Sequence, residues 1–228
     1  MPERVFRLIF HGVGDPPRPL EPGEEKVWIS LTSLRSVLDE AAQRADVRLS
    51  FDDCNRSDRD LVLPELLARD LRATFFVVAG RIDQPGFLTR GGLRELVDAG
   101  MSVQSHGMRH RVWRGLDEAS MHEELVVARG SIAELTGQPV EDVAIPFCLY
   151  DRRVLRQLRA AGYRHVHTCD GGAANPAAWL QPRTQISRGE DAGKLREITA
   201  PKLAEHLERA LKKSAKRWRY GGGDRATP

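Results

Sequence analysis

The feature that most constrains this chain is a repeated alternation of two residue patterns. Short runs rich in apolar, β-branched and aromatic residues, at 5–10, 47–51, 73–79, 101–105, 143–147 and 163–168, read as strands. Segments with apolar residues at helical spacing separate them. One runs from Ser33, as its N-cap, through Leu34, Val37, Leu38 and Ala41; others cover 60–68, 89–100 (Thr89 cap, Gly100 stop), 116–136 and 152–161. In the longest of these, Leu125, Val126, Ile132 and Leu135 form the apolar side. Strand and helix alternating this often predict parallel pairing in an α/β barrel or an open sheet. In either arrangement, chemistry collects where the strands end.

Beyond Asp170 the periodicity weakens into a Gly-, Pro- and Asn-rich stretch with one candidate strand at 184–187. A last helix is expected from about Thr199, with Leu203, Leu207, Leu211 and Trp218 on one face. Residues 1–220 read as a single domain and 221–228, Gly-rich and without apolar content, as a disordered tail. Lys212, Lys213, Lys216, Arg217 and Arg219 crowd the end of that last helix. The cluster suits a solvated helix terminus and equally an anionic membrane surface.

The overall charge of +3 comes from 35 basic and 32 acidic residues that are largely interspersed, and no basic stripe with aromatics appears, so nucleic acid is not an expected partner. The apolar run at 5–10 is broken by Arg7 and is too short for a signal sequence or a membrane span. Cys54, Cys148 and Cys169 are odd in number and lack CxxC spacing, which predicts free thiols in a reducing compartment. A cytoplasmic protein is expected, with peripheral membrane contact through the basic helix as an option.

Three strand ends carry polar groups. Asp52 and Asp53 close one strand, His11 leaves another within a Gly/Pro-rich loop, and Ser105-His106-Gly-Met-Arg-His110 follows a third. Adjacent carboxylates at a strand end point apart, so one can bind a metal while the other handles a proton. Imidazoles at i and i+4 share a face of a helical turn and can converge on one ion. Asp53, His106 and His110 together supply two nitrogens and one oxygen, the donor set of a metal site with a position left open.

In these motifs the chain resembles the polysaccharide deacetylase family, also called the NodB homology domain or carbohydrate esterase family 4. Phe10-His11 resembles the family's aromatic-His pair, Leu49-Ser-Phe-Asp-Asp its T-F-D-D motif, and Ala73-Thr-Phe-Phe-Val the strand that follows. Ser105-His106 to His110 resembles S-H-x3-H, Ala144-Ile-Pro-Phe147 resembles R-x-P-Y, and Gly162-Tyr163 the A-G-Y sequence. The resemblance implies an irregular (β/α) barrel of the NodB type. It implies Asp52 as general base and Asp53, His106 and His110 as ligands of a divalent ion, Zn2+ foremost, that acidifies water and polarises an acetyl carbonyl. It further implies an oxyanion donor in the backbone N–H of Phe147 and, as substrate, an acetylated glycan or glycolipid, with a lipid-linked sugar suited to a protein inside the cell.

The chain departs from the pattern in several places. Ala144 stands where the family often has the arginine that pairs with the base; Arg183 is a candidate replacement. Cys54 and Cys148 occupy positions usually held by glycine, as small buried side chains or as thiols with a role at the site. The late L-x-H motif is not visible, which leaves His11 as the candidate acid, while His165, His167 and His206 read as core or surface residues. Asp170 and Trp179 loosely resemble a further motif. A cyclic-amide hydrolase of the same fold and a sugar-binding relative without catalysis remain open alternatives.

Overall fold

In the computed structural model, residues 4–200 are described. The expected helix beyond Thr199, its basic cluster with His206, and the tail at 221–228 lie outside them. Among the described residues no helix is long and apolar enough to cross a membrane.

Parallel strands β1 (Val5–Phe10), β2 (Val47–Asp52), β3 (Ala73–Val77), β4 (Ser102–Ser105), β5 (Asp142–Ala144) and β6 (His165–Thr168) pair in chain order. The rest of the sheet comes from the stretch that carries little periodicity. β7 (Ala173–Ala174) lies antiparallel on the start of β1. β8 (Leu180–Pro182) pairs with β6, and β9 (Thr184–Gln185), one residue later, pairs with the end of β1. A single short segment therefore crosses from the last long strand to the first and nearly closes a barrel, the irregular α/β barrel expected. Its crossing residue is Arg183.

The helices are α1 (Leu31–Ala41), α2 (Leu63–Leu67), α3 (Arg90–Asp98), α4 (Glu118–His122), α5 (Ala128–Thr136), α6 (Arg152–Ala160) and α7 (Ala192–Thr199). The side chain of Ser30, not Ser33, caps α1 by accepting from the Ser33 N–H, and Thr89 caps α3 as expected. Outward-facing Phe10, Phe51 and Phe75 stack across β1, β2 and β3, with centroids 5.0 and 5.2 Å apart, and anchor the larger core beneath α1–α3. Each such pair contributes about 0.5–1.5 kcal/mol beyond simple burial. A second core of Trp113, Leu125, Val143, Tyr150, Leu158 and Tyr163 lies under α4–α6.

The long helix expected at 116–136 is interrupted. Between α4 and α5 a π-helical turn, Glu123–Val127, rotates the following residues, so Val126 is 44% exposed and Glu124 points into the protein. A similar turn, Asp58–Val62, precedes α2.

Candidate active site

Parallel strands place the ends of β1, β2, β4 and β5 on one rim, where His11, Asp52, Asp53, His106 and Phe147 gather. Asp53 leaves β2 with φ 81°, in the left-handed region, and this reversal turns its carboxylate away from that of Asp52. Asp53 Oδ1 lies 3.5 Å from His106 Nε2 and 3.0 Å from His110 Nε2. The three ligand atoms lie within 4.8 Å of one another.

The imidazoles converge without the helical turn anticipated for them. Residues 106–110 form a loop, with Gly107 at φ 82° and His110 at φ 48°. Buried Glu124 holds that loop together. Its Oε2 accepts from the N–H groups of Met108 (2.8 Å) and Arg109 (3.3 Å) and from the Trp113 indole (3.2 Å), and its Oε1 accepts from Arg111 (2.7 Å). A Cβ at position 107 would stand 2.5 Å from Glu124 Oε2, so only glycine fits there.

These residues fit a divalent ion. His106 Nδ1 donates to the Ala144 carbonyl at 2.9 Å, which orients the ring and leaves Nε2, on the side of Asp53, as the atom available to ligate an ion. Asp53 Oδ1 is buried without an aligned hydrogen bond, as expected of an atom reserved for a ligand. Burial opposes ionisation of Asp53, but His110 and His106 outweigh it and hold its carboxyl well below the usual range. His110 Nδ1 lies 3.1 Å from Arg81 Nη2 and 3.7 Å from Glu21 Oε2, and Arg81 and Glu21 pair with each other.

Asp52 is placed for different work. Arg183 reaches it across the barrel interior in a bidentate pair, 2.7 Å to Oδ1 and 2.8 Å to Oδ2, with a third bond of 2.9 Å to Ser50 Oγ. The guanidinium is fully buried and stacks over Phe76 at 4.8 Å. Burial disfavours the Asp52 carboxylate, yet the charges of Arg183 and His106 prevail and lower its pKa. The arginine missing at Ala144 is thus replaced from the barrel-closing segment. Asp52 Oδ2 is 3.9 Å from His106 Nε2, so Asp52 joins the same cluster as Asp53 and the two histidines.

His11 is half-buried, with Nδ1 buried and unpartnered, and desolvation lowers its pKa despite the nearby charges of Asp53 and Asp52, which favours the neutral imidazole. Phe147, at φ 55°, lays its ring 4.5 Å from that of His110 while remaining 54% exposed. His165 and His167 stand away from the ligands. His165 Nδ1 and His167 Nε2 donate to the two oxygens of Asp142 at 3.0 and 3.1 Å. Trp179 donates to the Tyr163 carbonyl, and Asp170 accepts from Tyr150 at 2.6 Å and Thr168 at 2.9 Å.

The expectation of three free thiols is corrected. Cys148 and Cys169 form a disulfide, with Cα atoms 5.7 Å apart, because β5 and β6 are neighbours and their ends meet despite 21 residues of separation. Cys54 is free and buried at φ 67°; burial pushes its thiol pKa up, and the neighbouring charge of Asp58 adds to this, the opposite of what a reactive thiolate needs. A disulfide persists in oxidising surroundings, so the cysteines lend no support to a reducing compartment.

Glu124, Arg81 and Glu21 were not anticipated as parts of the site. The only sequence signal for any of them is Glu124, an acidic residue beside the apolar side of a helical pattern.

Fold and site define a class: α/β barrels with two His and one Asp that could hold a metal ion, beside a buried, arginine-paired carboxylate. The chain belongs to the polysaccharide deacetylase family, whose sequence model matches residues 39–166. It is 27% identical over 158 residues to the chitooligosaccharide deacetylase of Bradyrhizobium sp. (strain ANU 289), covering 68% of each chain. It is 24% identical over 159 residues to YxkH of Bacillus subtilis (strain 168), covering 69% of this chain and 57% of that one. Among solved structures, the Streptococcus pyogenes deacetylase PplD in complex with acetate superposes with a TM-score of 0.77 at 18% identity, over 88% of this chain and all of that one. A Bacillus cereus polysaccharide deacetylase does so with a TM-score of 0.76 at 19% identity, over 86% and 69%. At such identities the likeness shows the fold.

Proposed function

We propose that this protein is a metal-dependent hydrolase that removes an acetyl group, foremost an N-acetyl group, from a sugar of an oligosaccharide, polysaccharide or lipid-linked glycan. The observation that carries this reading is the Arg183–Asp52 ion pair set directly beside Asp53, His106 and His110. It gives one carboxylate for proton transfer and a separate donor set for an ion. The name of the Bradyrhizobium relative supports an amino-sugar substrate.

Asp53, His106 and His110 would hold the ion, Zn2+ by its affinity for this donor set. A bound divalent ion supplies Lewis acidity, which polarises the acetyl carbonyl and acidifies water. Asp52, ionised because Arg183 overrides its burial, accepts the proton that the attacking water gives up. Arg183 keeps that carboxylate in one orientation as its charge changes. The Phe147 backbone N–H donates to the oxygen that gains charge as the carbonyl carbon becomes tetrahedral. The C–N bond then breaks, the amine takes a proton, and acetate leaves. His11, near Asp52 and Asp53, is our candidate for guiding that last proton.

The test is product analysis over a panel of acetylated sugars and cyclic amides, with Asp52→Asn as control. Acetate released by the native protein and lost in the variant supports the proposal. Ring opening without acetate, or binding without turnover, replaces it with another reading.

A further inference from the structure

We propose that the Cys148–Cys169 bridge is a positioning element of the oxyanion loop, so that turnover depends on the redox state of this disulfide. The inference rests on the reading above, in which the Phe147 N–H faces the developing oxyanion.

The loop after β5 is strained and exposed at its tip. Phe147 and Cys148 are consecutive non-glycine residues in the left-handed region, at φ 55° and φ 54°. Such a pair relaxes toward negative φ unless its surroundings hold it. The Phe147 side chain is 54% exposed and Leu149 is exposed, so beyond the contact of the Phe147 ring with His110 the packing restraint lies at the flanks, where Pro146 and Tyr150 are buried. The loop is in addition attached to the end of β6 on both sides of Leu149. Cys148 is bonded to Cys169, and the Tyr150 hydroxyl donates to Asp170 at 2.6 Å, a carboxylate that Thr168 also engages at 2.9 Å. The Cys148 N–H donates to the Ile145 carbonyl at 3.1 Å and closes the turn around Phe147. Of the two attachments, the covalent one is adjacent to the oxyanion donor.

Reduction by a dithiol transfers two electrons and two protons to the bridge. The S–S bond breaks, Cys148 and Cys169 become thiols, and the dithiol becomes a disulfide. The freed Cys148 can then leave its left-handed conformation and carry the Phe147 N–H with it. An oxyanion donor acts chiefly in the transition state, so its misplacement lowers kcat and leaves KM largely unchanged. Removing such a donor outright costs on the order of 10²- to 10³-fold, and a displaced one a smaller share, at least about tenfold.

The experiment compares full-length protein before and after reduction with a non-thiol phosphine, with the divalent ion replenished and the thiol count verified by alkylation and mass spectrometry. Acetate release and hydrogen exchange of a peptide spanning residues 145–150 are measured on the same samples. The expected result is a kcat at least about tenfold lower on reduction with KM within about twofold, faster exchange in that peptide, and recovery of both on reoxidation. Cys169→Ser should show the reduced behaviour in either state. Cys148→Gly, which tolerates positive φ without the bridge, should lose redox dependence altogether. Equal kcat and equal exchange in verified oxidised and reduced protein would overturn the proposal, as would an alkylatable Cys148 after treatment with oxidised glutathione. If no sample releases acetate while exchange still responds to reduction, the deacetylase reading fails and the restraint on the loop stands.

Discussion

At the residue scale the protein separates two carboxylates that are adjacent in sequence by giving them different partners. Asp53 turns through a left-handed backbone to the two histidines, and Asp52 points across the barrel to Arg183. The guanidinium offsets the burial that disfavours the Asp52 carboxylate, which makes it a direct target. In Arg183→Met the buried Asp52 loses its hydrogen-bonded countercharge, and we expect stability to fall by about 3–5 kcal/mol in denaturant titrations and the rate to fall at least about a hundredfold. Arg183→Lys restores charge without the planar fork and should recover stability more than rate. Equal rates in the native protein and Arg183→Met would remove the arginine from the mechanism. Asp52, Asp53, His106 and His110 were legible in the sequence because each motif is local and its spacing survives folding. Arg183 was legible only as a candidate. It lies 131 positions from Asp52, and no local pattern carries that distance. Glu124 was hidden because a π-helical turn moved it out of the place a regular helix assigns.

At the element scale the neighbouring strands β5 and β6 place a polar cluster inside the barrel, below the site. Asp142 accepts from His165 and from His167 Nε2, which leaves His167 Nδ1 buried and bare. Burial pulls the His167 pKa down to about 4; Asp142 counters this only in part, and the charges of Arg183 and Arg7 add to the lowering. The unfolded chain takes up a proton near pH 6.5 that the folded protein refuses until about pH 4, so this contribution to stability is complete above the higher value. It is lost as pH falls through that window, and the distance from 6.5 to about 4 is worth about 3 kcal/mol at 1.36 kcal/mol per unit. Unfolding free energies measured from pH 7 to 4 should decline less steeply in His167→Phe than in the native protein. Parallel slopes would show that His167 is not the group responsible. Alternation along 163–168 made the strand legible, yet it could not show that both histidines meet one carboxylate, because that depends on the register between β5 and β6.

At the scale of the whole molecule the active site depends on how the barrel closes. The sequence showed the repeating strand–helix order plainly, because long periodic elements leave a strong signal. Of the closure it showed only the strand expected at 184–187, realised as β9 at Thr184–Gln185; β7 and β8 span two and three residues and bring no periodicity of their own. The same segment that bridges β6 to β1 delivers Arg183 to Asp52. A glycine inserted between Pro182 and Arg183 shifts the register by one and turns the guanidinium to the other face. We expect far-UV circular dichroism to be retained while acetate release falls at least about a hundredfold. Retained activity would uncouple closure from catalysis. The most direct test of the account as a whole is a metal titration of the metal-free protein, with bound ion and acetate release from an N-acetylated oligosaccharide read on the same samples. The account predicts that activity rises in proportion to occupancy and saturates at one ion per chain, and that Asp52→Asn binds the ion equally yet releases no acetate. Full activity without bound metal, or an Asp52→Asn variant as fast as the native protein, would contradict it.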